Sequence, residues 1–134
     1  MLEFIEGKIS DITPSYIVIS TNGIGFQVYT PNPYSFKESE LTKVYLYNHI
    51  REEEYTLYGF KSKEERELFL KLINVKGLGP KTAIGILAGS TPNGIIDAIE
   101  RENILYIKKF PKVGEKLARQ IILDLKGKLV STNN

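Results

Sequence analysis

A glycine hairpin that occurs twice limits what this chain can fold into. Val75-Lys76-Gly77-Leu78-Gly79-Pro80-Lys81-Thr82-Ala83 sets two glycines and a proline directly ahead of an apolar, helix-prone run. Thirty-five residues later, Phe110-Pro111-Lys112-Val113-Gly114-Glu115-Lys116-Leu117-Ala118 lays down the same pattern. Gly79 falls on Gly114, Lys81 on Lys116, Ala83 on Ala118 and Ile86 on Ile121. A period of this length is one helix–turn–helix unit, and two copies are too few for a solenoid.

The chemistry such a turn offers is narrow. Glycine admits positive φ and lets another backbone come close. The turn ends at a helix N-terminus, where the first amides lack intrahelical partners and the dipole favours an anion. Lys81 and Lys116, each two residues past a glycine, add a positive charge beside it. Gly77, Gly79, Lys81, Thr82, Gly114 and Lys116 are therefore candidate contacts to a phosphate backbone. A single such motif also serves simply to punctuate two core helices; two copies in register, each with its lysine, favour phosphate contact. A nucleotide P-loop is excluded, because Pro80 replaces the glycine before the lysine and the upstream spacing is wrong. A dinucleotide fingerprint is excluded too, because Thr82 stands at its third glycine. No ATP, NAD or other cofactor site is expected.

Charge points the same way. Residues 1–60 hold four basic and eight acidic side chains, a net −4, whereas residues 61–134 hold fourteen and eight, a net +6. The second half is the one suited to a polyanion. Among the 134 residues there is no cysteine, so neither a disulfide framework nor a thiolate metal site exists, and an intracellular setting fits. No apolar run approaches membrane-spanning length and no signal-peptide pattern opens the chain. A cytoplasmic protein without a membrane partner is expected.

The first sixty residues carry strand chemistry. Runs at 2–12, 16–20, 24–30, 43–51 and 55–60 are rich in β-branched and aromatic residues, separated by Thr13-Pro14-Ser15, Thr21-Asn22-Gly23 and Pro31-Asn32-Pro33. Asn22-Gly23 is a strong hairpin signal. Five short strands without a long helix predict a small barrel of OB type. Seven of the eight tyrosines lie in or beside these strands; half-buried cross-strand pairing is their expected role, ahead of base stacking. Between the last two strands, Glu52-Glu53-Glu54 reads from composition as a solvated turn. His49 is the only histidine, and adjacent carboxylates on a short turn converge poorly on a metal, so no metal site is expected.

After Phe60 the period becomes helical. Ser62 with Glu65 forms a capping box ahead of Leu68, Phe69, Leu72 and Ile73 on one face. Residues 80–88 form the second helix, Pro92 opens a third with Ile95, Ile96 and Ile99 buried, and 102–109 a short fourth. A longer helix follows, with Leu117, Ala118, Ile121, Ile122, Leu125 and Leu129 on its apolar face, and residues 131–134 are a polar tail or a cut end. The expected fold is α+β and multidomain: an OB barrel over 1–61, then an all-α tandem helix-hairpin-helix domain over 62–134.

Three stretches carry a family likeness. They are Asn22-Gly23-Ile24-Gly25-Phe26-Gln27-Val28-Tyr29-Thr30-Pro31, Arg51-Glu52-Glu53-Glu54-Tyr55-Thr56-Leu57-Tyr58-Gly59-Phe60, and the two hairpins together. The chain resembles the first two domains of the RuvA family, bacterial proteins that bind Holliday junctions, over essentially its whole length. Hairpins alone occur in many nucleases, ligases and glycosylases; Arg-Glu-Glu followed by Leu-Tyr-Gly-Phe is far more specific. The resemblance implies a non-enzymatic homotetramer, or an octamer, on four-way junction DNA. It also implies hairpins on minor-groove backbone, Glu52 and Glu53 as an acidic pin at the crossover, and Arg51 as a phosphate contact. It implies the RuvB ATPase and the RuvC resolvase as partners in recombination and repair. The family's third domain, which recruits RuvB, has no counterpart in these residues, so a truncated form or fragment is expected. Two positions depart from the family pattern: Lys112 stands at the second hairpin's first glycine, and Glu115 at a commonly basic place. Lys112 supplies charge in place of close backbone approach. Glu115 is unfavourable beside phosphate unless it points away. The rival readings are the hairpin module of a repair nuclease or glycosylase, and a scaffold that binds protein alone.

Overall fold

Alternating burial along the first sixty residues yields strands that close on themselves. In the computed structural model, which describes residues 1–129, five strands form a closed barrel in the order β1-β2-β3-β5-β4. They are β1 (Phe4–Ile12), β2 (Tyr16–Thr21), β3 (Ile24–Tyr29), β4 (Leu41–Arg51) and β5 (Glu54–Phe60). Neighbours run antiparallel except β3 and β5, which pair parallel at Val28–Leu57 and Tyr29–Tyr58. This is the OB-type barrel expected from the strand pattern.

One strand makes closure possible. Residues 4–8 of β1 pair with β4 and residues 8–12 with β2, and a register shift between Ile9 and Asp11 bends the strand round the corner. The β2–β3 turn takes the two left-handed residues its sequence supplies, Asn22 at φ 51° and Gly23 at φ 78°. Inward positions hold Ile5, Ile9, Ile17, Ile19, Val28 and Val44, none more than 6% exposed. Each such side chain stabilises the barrel by about 1.5–3 kcal/mol relative to exposure. Phe36, just after a 3-10 turn at Pro33–Ser35, joins the same core.

The chain divides into two units, Met1–Arg66 and a second that begins at Glu67. The helices are α1 (Lys63–Ile73), α2 (Pro80–Gly89), α3 (Pro92–Glu100), α4 (Ile104–Ile107) and α5 (Glu115–Leu125). Their starts follow the caps in the sequence. Glu65 donates its amide to Ser62 Oγ at 3.1 Å, Gly94 to Thr91 Oγ1 at 3.1 Å, and Tyr106 to Asn103 Oδ1 at 3.1 Å.

Within the second unit the thirty-five-residue repeat is a packing repeat. Val75 and Phe110, Leu78 and Val113, and Ile86 and Ile121 are buried pairwise. Ala83 and Ala118 have no exposed surface, as close helix packing in each hairpin requires. α3 packs against α2, α4 and α5 and buries Ile95, Ile96, Ala98 and Ile99.

Two expectations need correction. The fourth helix is four residues long, because Glu102 adopts φ 55° and Asn103 becomes the cap. The apolar face predicted to reach Leu129 stops at Leu125. There Lys126 pairs with Glu102, and Gly127, at φ 81°, donates its amide to Glu100 Oε2 at 2.7 Å. Residues 131–134, read as a polar tail, lie outside the described residues.

Candidate nucleic-acid interface

The two helical hairpins repeat down to individual hydrogen bonds. Leu78 donates its amide to the Val75 carbonyl at 3.1 Å, and Val113 donates to Phe110 at 3.1 Å. Ala83 donates to Gly79 at 3.0 Å, and Ala118 to Gly114 at 2.9 Å. The turn needs a left-handed residue one position before that buried Leu or Val. Gly77 supplies it at φ 87°, and Lys112 is held there at φ 65°. Lys112 therefore preserves the turn geometry at the cost of a strained, non-glycine residue, and it remains exposed.

Gly79 and Gly114 are the N-caps of α2 and α5, both in extended backbone and both without a side-chain cap. Their φ values, −98° and −91°, are open to any residue. A Cβ built on either would meet nothing within 4 Å. Neither φ nor crowding within the protein demands glycine at these N-caps, and the space over each is open to a body outside the protein. Pro80 follows Gly79 and gives up no needed hydrogen bond, whereas Glu115 follows Gly114. Lys81 and Lys116 occupy the second helical position and are exposed, and Thr82 at the third is half-buried.

Glu115 is answered within the protein. Its Oε1 lies 3.7 Å from Lys108 Nζ and its Oε2 3.3 Å from Arg119 Nη2, with Arg119 Nε also donating to Oε2 at 3.4 Å. Among the described residues, Lys76, Lys81, Lys112 and Lys116 make no side-chain ion pair. The first hairpin is braced from α5: Lys76 donates its amide to Asp124 Oδ2 at 3.4 Å, and a Cβ on Gly77 would come within 4.0 Å of Leu117 Cδ1. Sequence reasoning missed Lys108, Arg119 and Asp124. The Glu115–Arg119 spacing of four was the one legible signal; the other contacts cross turns.

The remaining candidates lie in the barrel unit. Arg51 pairs with Glu54 across the β4–β5 ladder, and Glu52 and Glu53 form the two-residue turn beyond them. All four are exposed, but they are not alike. Glu54 accepts from Thr56 Oγ1 at 2.7 Å and lies 3.8 Å from His49 Nε2. Arg51 turns back to donate to the Ile50 carbonyl at 2.9 Å. Glu52 and Glu53 make no hydrogen bond or ion pair among the described residues.

The base of this turn is tied into the barrel by side-chain hydrogen bonds. Buried Asn48 donates to the Leu2 carbonyl at 2.6 Å and accepts from Tyr55 Oη at 3.1 Å. Tyr16, Tyr29, Tyr58 and Tyr47 form a row across β2, β3, β5 and β4, with ring centroids 5.5–6.3 Å apart. Burial first, and then the Glu54 carboxylate, push the Tyr58 phenol above its ordinary value. These rings face one another as cross-strand partners. Among the described residues no three His, Asp or Glu side chains gather as metal ligands do, and no helix is long and apolar enough to cross a membrane.

Comparison with known proteins covers both units. The family described as RuvA N terminal domain matches residues 1–59, and the SAM-like helix-hairpin-helix tandem matches residues 69–127. Similar relatives each carry the name Holliday junction branch migration complex subunit RuvA. That of Bacillus velezensis is 53% identical over 129 residues, covering 96% of this chain and 64% of the relative. That of a Geobacillus species is 52% identical over 133 residues, covering 98% and 66%. That of Pediococcus pentosaceus is 49% identical over 133 residues, covering 99% and 68%. The chain thus spans about two thirds of the length of these relatives.

Proposed function

The chain belongs to the RuvA family, and from that premise we propose that it binds four-way (Holliday) junction DNA and holds it open and square-planar for branch migration. Two helix N-termini, each opened by a glycine with open space over it and no side-chain cap, are the observation that carries this reading. Each presents free amides and a lysine to a backbone phosphate. Contacts of this kind position DNA without reading its sequence, so the grip is structure-specific and steeply salt-dependent.

The two domains divide the work. Residues 62–134 hold the arms through Gly77, Gly79, Lys81, Thr82, Lys112, Gly114 and Lys116. Residues 1–61 carry the acidic pin, Glu52 and Glu53, with Arg51 contacting phosphate beside it. Carboxylates without internal partners repel phosphate and keep the crossover clear as strands separate and re-pair. Four copies around one junction match its four arms, and a second tetramer on the opposite face gives the octamer. The chain performs no catalysis; a RuvB ATPase drives the DNA through, the RuvC resolvase acts on the same substrate, and the setting is the cytoplasm.

Mobility shift with a four-way junction and a linear duplex of equal length tests this. Preferential retention of the junction, weakening with salt, is the expected result. Equal retention of both, or of neither, refutes it. Metal-dependent cleavage of either DNA would favour a repair nuclease instead.

A further inference from the structure

The two hairpins share a backbone and differ in electrostatics. At the first helical position hairpin one has Pro80, which carries no charge, and α2 has no acidic residue in its first turn. At the equivalent place hairpin two has Glu115, the acidic residue of α5's first turn. Its two oxygens engage Lys108 on one side and Arg119 on the other. These are cations flanking the very helix end that would receive a phosphate. A carboxylate at that end is favoured by the same dipole that favours phosphate. The side chain is 57% exposed, and Lys108 and Arg119 are 38% and 63% exposed, so all three remain within reach of an incoming backbone.

We propose that Glu115 is a built-in competitor for phosphate at hairpin two, occupying Lys108 and Arg119 and making this hairpin the weaker of the two grips. Both hairpins keep two lysines without an ion pair among the described residues, Lys76 and Lys81 in the first and Lys112 and Lys116 in the second. The Glu115 carboxylate is therefore what makes hairpin one the stronger anchor and hairpin two the contact that yields first when an arm moves. The inference rests on the phosphate-gripping reading above. Glu115 is a positioning residue here, acting through the two cations it holds.

Removing the carboxylate tests the proposal in the 134-residue chain. Glu115→Gln keeps a polar side chain, and Glu115→Pro copies hairpin one, since proline is well accepted at a first helical position. Asp97→Asn is the control: it severs the Asp97–Arg101 ion pair, another exposed i,i+4 pair of the same unit, and removes one negative charge. Both Glu115 variants are expected to bind a four-way junction roughly 3–10 times more tightly at low salt. Freeing two cations steepens the logarithmic salt dependence by about one to two. Asp97→Asn is expected to leave both quantities unchanged, and helix content by circular dichroism identifies any variant that fails to fold.

Affinity that stays level, falls, or rises equally in the Asp97 control overturns the proposal. The underlying reading has its own arm, Lys81→Glu with Lys116→Glu. If that pair leaves junction binding intact, the phosphate grip itself is wrong, whatever Glu115 does.

Discussion

Two kinds of turn present groups that nothing among the described residues satisfies, and they do so with opposite charge. The β4–β5 turn exposes the carboxylates of Glu52 and Glu53, while its neighbour Glu54 is tied to Thr56 and His49. Behind uncapped glycines the helical hairpins leave first-turn amides without partners, those of Lys81 and Thr82 in α2, where Pro80 has none, and those that begin at Glu115 in α5. Elsewhere the chain caps what it can: Ser62, Thr91 and Asn103 each close a helix start with a side chain. The uncapped starts are the ones preceded by the repeated glycine. The difference teaches that attraction and repulsion are built from different materials. On the proposed reading, backbone amides in a turn would hold an anion at a defined place, and exposed side-chain carboxylates would exclude it from a volume.

The strongest way to break this comparison is to reverse the charge at the attractive turns. Lys81→Glu with Lys116→Glu is expected to weaken junction binding on the order of 100-fold at moderate salt and to flatten the salt dependence. Filter binding across a salt series measures both. Unchanged affinity would mean that the hairpins serve packing alone. A subtler variant separates backbone from side chain. Gly79→Ala with Gly114→Ala fills space that is empty in the protein, so unfolding should shift by less than about 1 kcal/mol per site. The methyls nevertheless stand where a sugar–phosphate backbone would approach, and about a tenfold loss of affinity is expected. If stability collapsed instead, glycine would be there for the fold.

The repulsive turn gives the opposite sign. Glu52→Gln with Glu53→Gln removes two exposed, unpartnered charges, and junction affinity should stay level or rise by up to about threefold. The effect belongs in strand exchange at the crossover, read as altered branch migration in the presence of the motor. A collapse in affinity would make these carboxylates binding elements and end the contrast drawn here.

How much of this is legible in the sequence depends on the range of the interaction. Local chemistry named the strands, the Asn22-Gly23 turn and the Ser62 cap, because each is decided by neighbours within a few residues. Barrel closure was inferred from strand count; the parallel β3–β5 contact spans only two residue pairs and leaves no pattern in either strand. Alignment of the repeat found Lys112 in a glycine's place, but not that the turn keeps φ positive there. The Lys108–Glu115 pair crosses seven residues and a turn, beyond helical spacing, so Glu115 looked like a defect where the structure gives it two partners. The end of α5 was missed for a related reason: Glu100 and Glu102, which receive Gly127 and Lys126, lie far back in the chain.

The smallest expected effect sharpens the contrast by turning to a carboxylate that belongs to the scaffold. Glu65 sits in the first turn of α1, where burial raises its pKa, opposed by a backbone hydrogen bond at Lys61 and by the Lys61 ammonium. A carboxyl with a raised folded-state pKa keeps its proton longer in the native protein than in the unfolded chain. Stability on this account is full below the unfolded value and declines as pH rises through the folded one. Glu65→Gln removes that titration while keeping an acceptor suited to the capping box. Thermal unfolding at pH 4 and at pH 7 should therefore show the variant gaining stability over the wild type at pH 7 relative to pH 4. A loss of stability at pH 7 relative to pH 4 in Glu65→Gln would mean that the ionised carboxylate is stabilised by the helix start after all, and that presented and structural glutamates are not distinguished by burial.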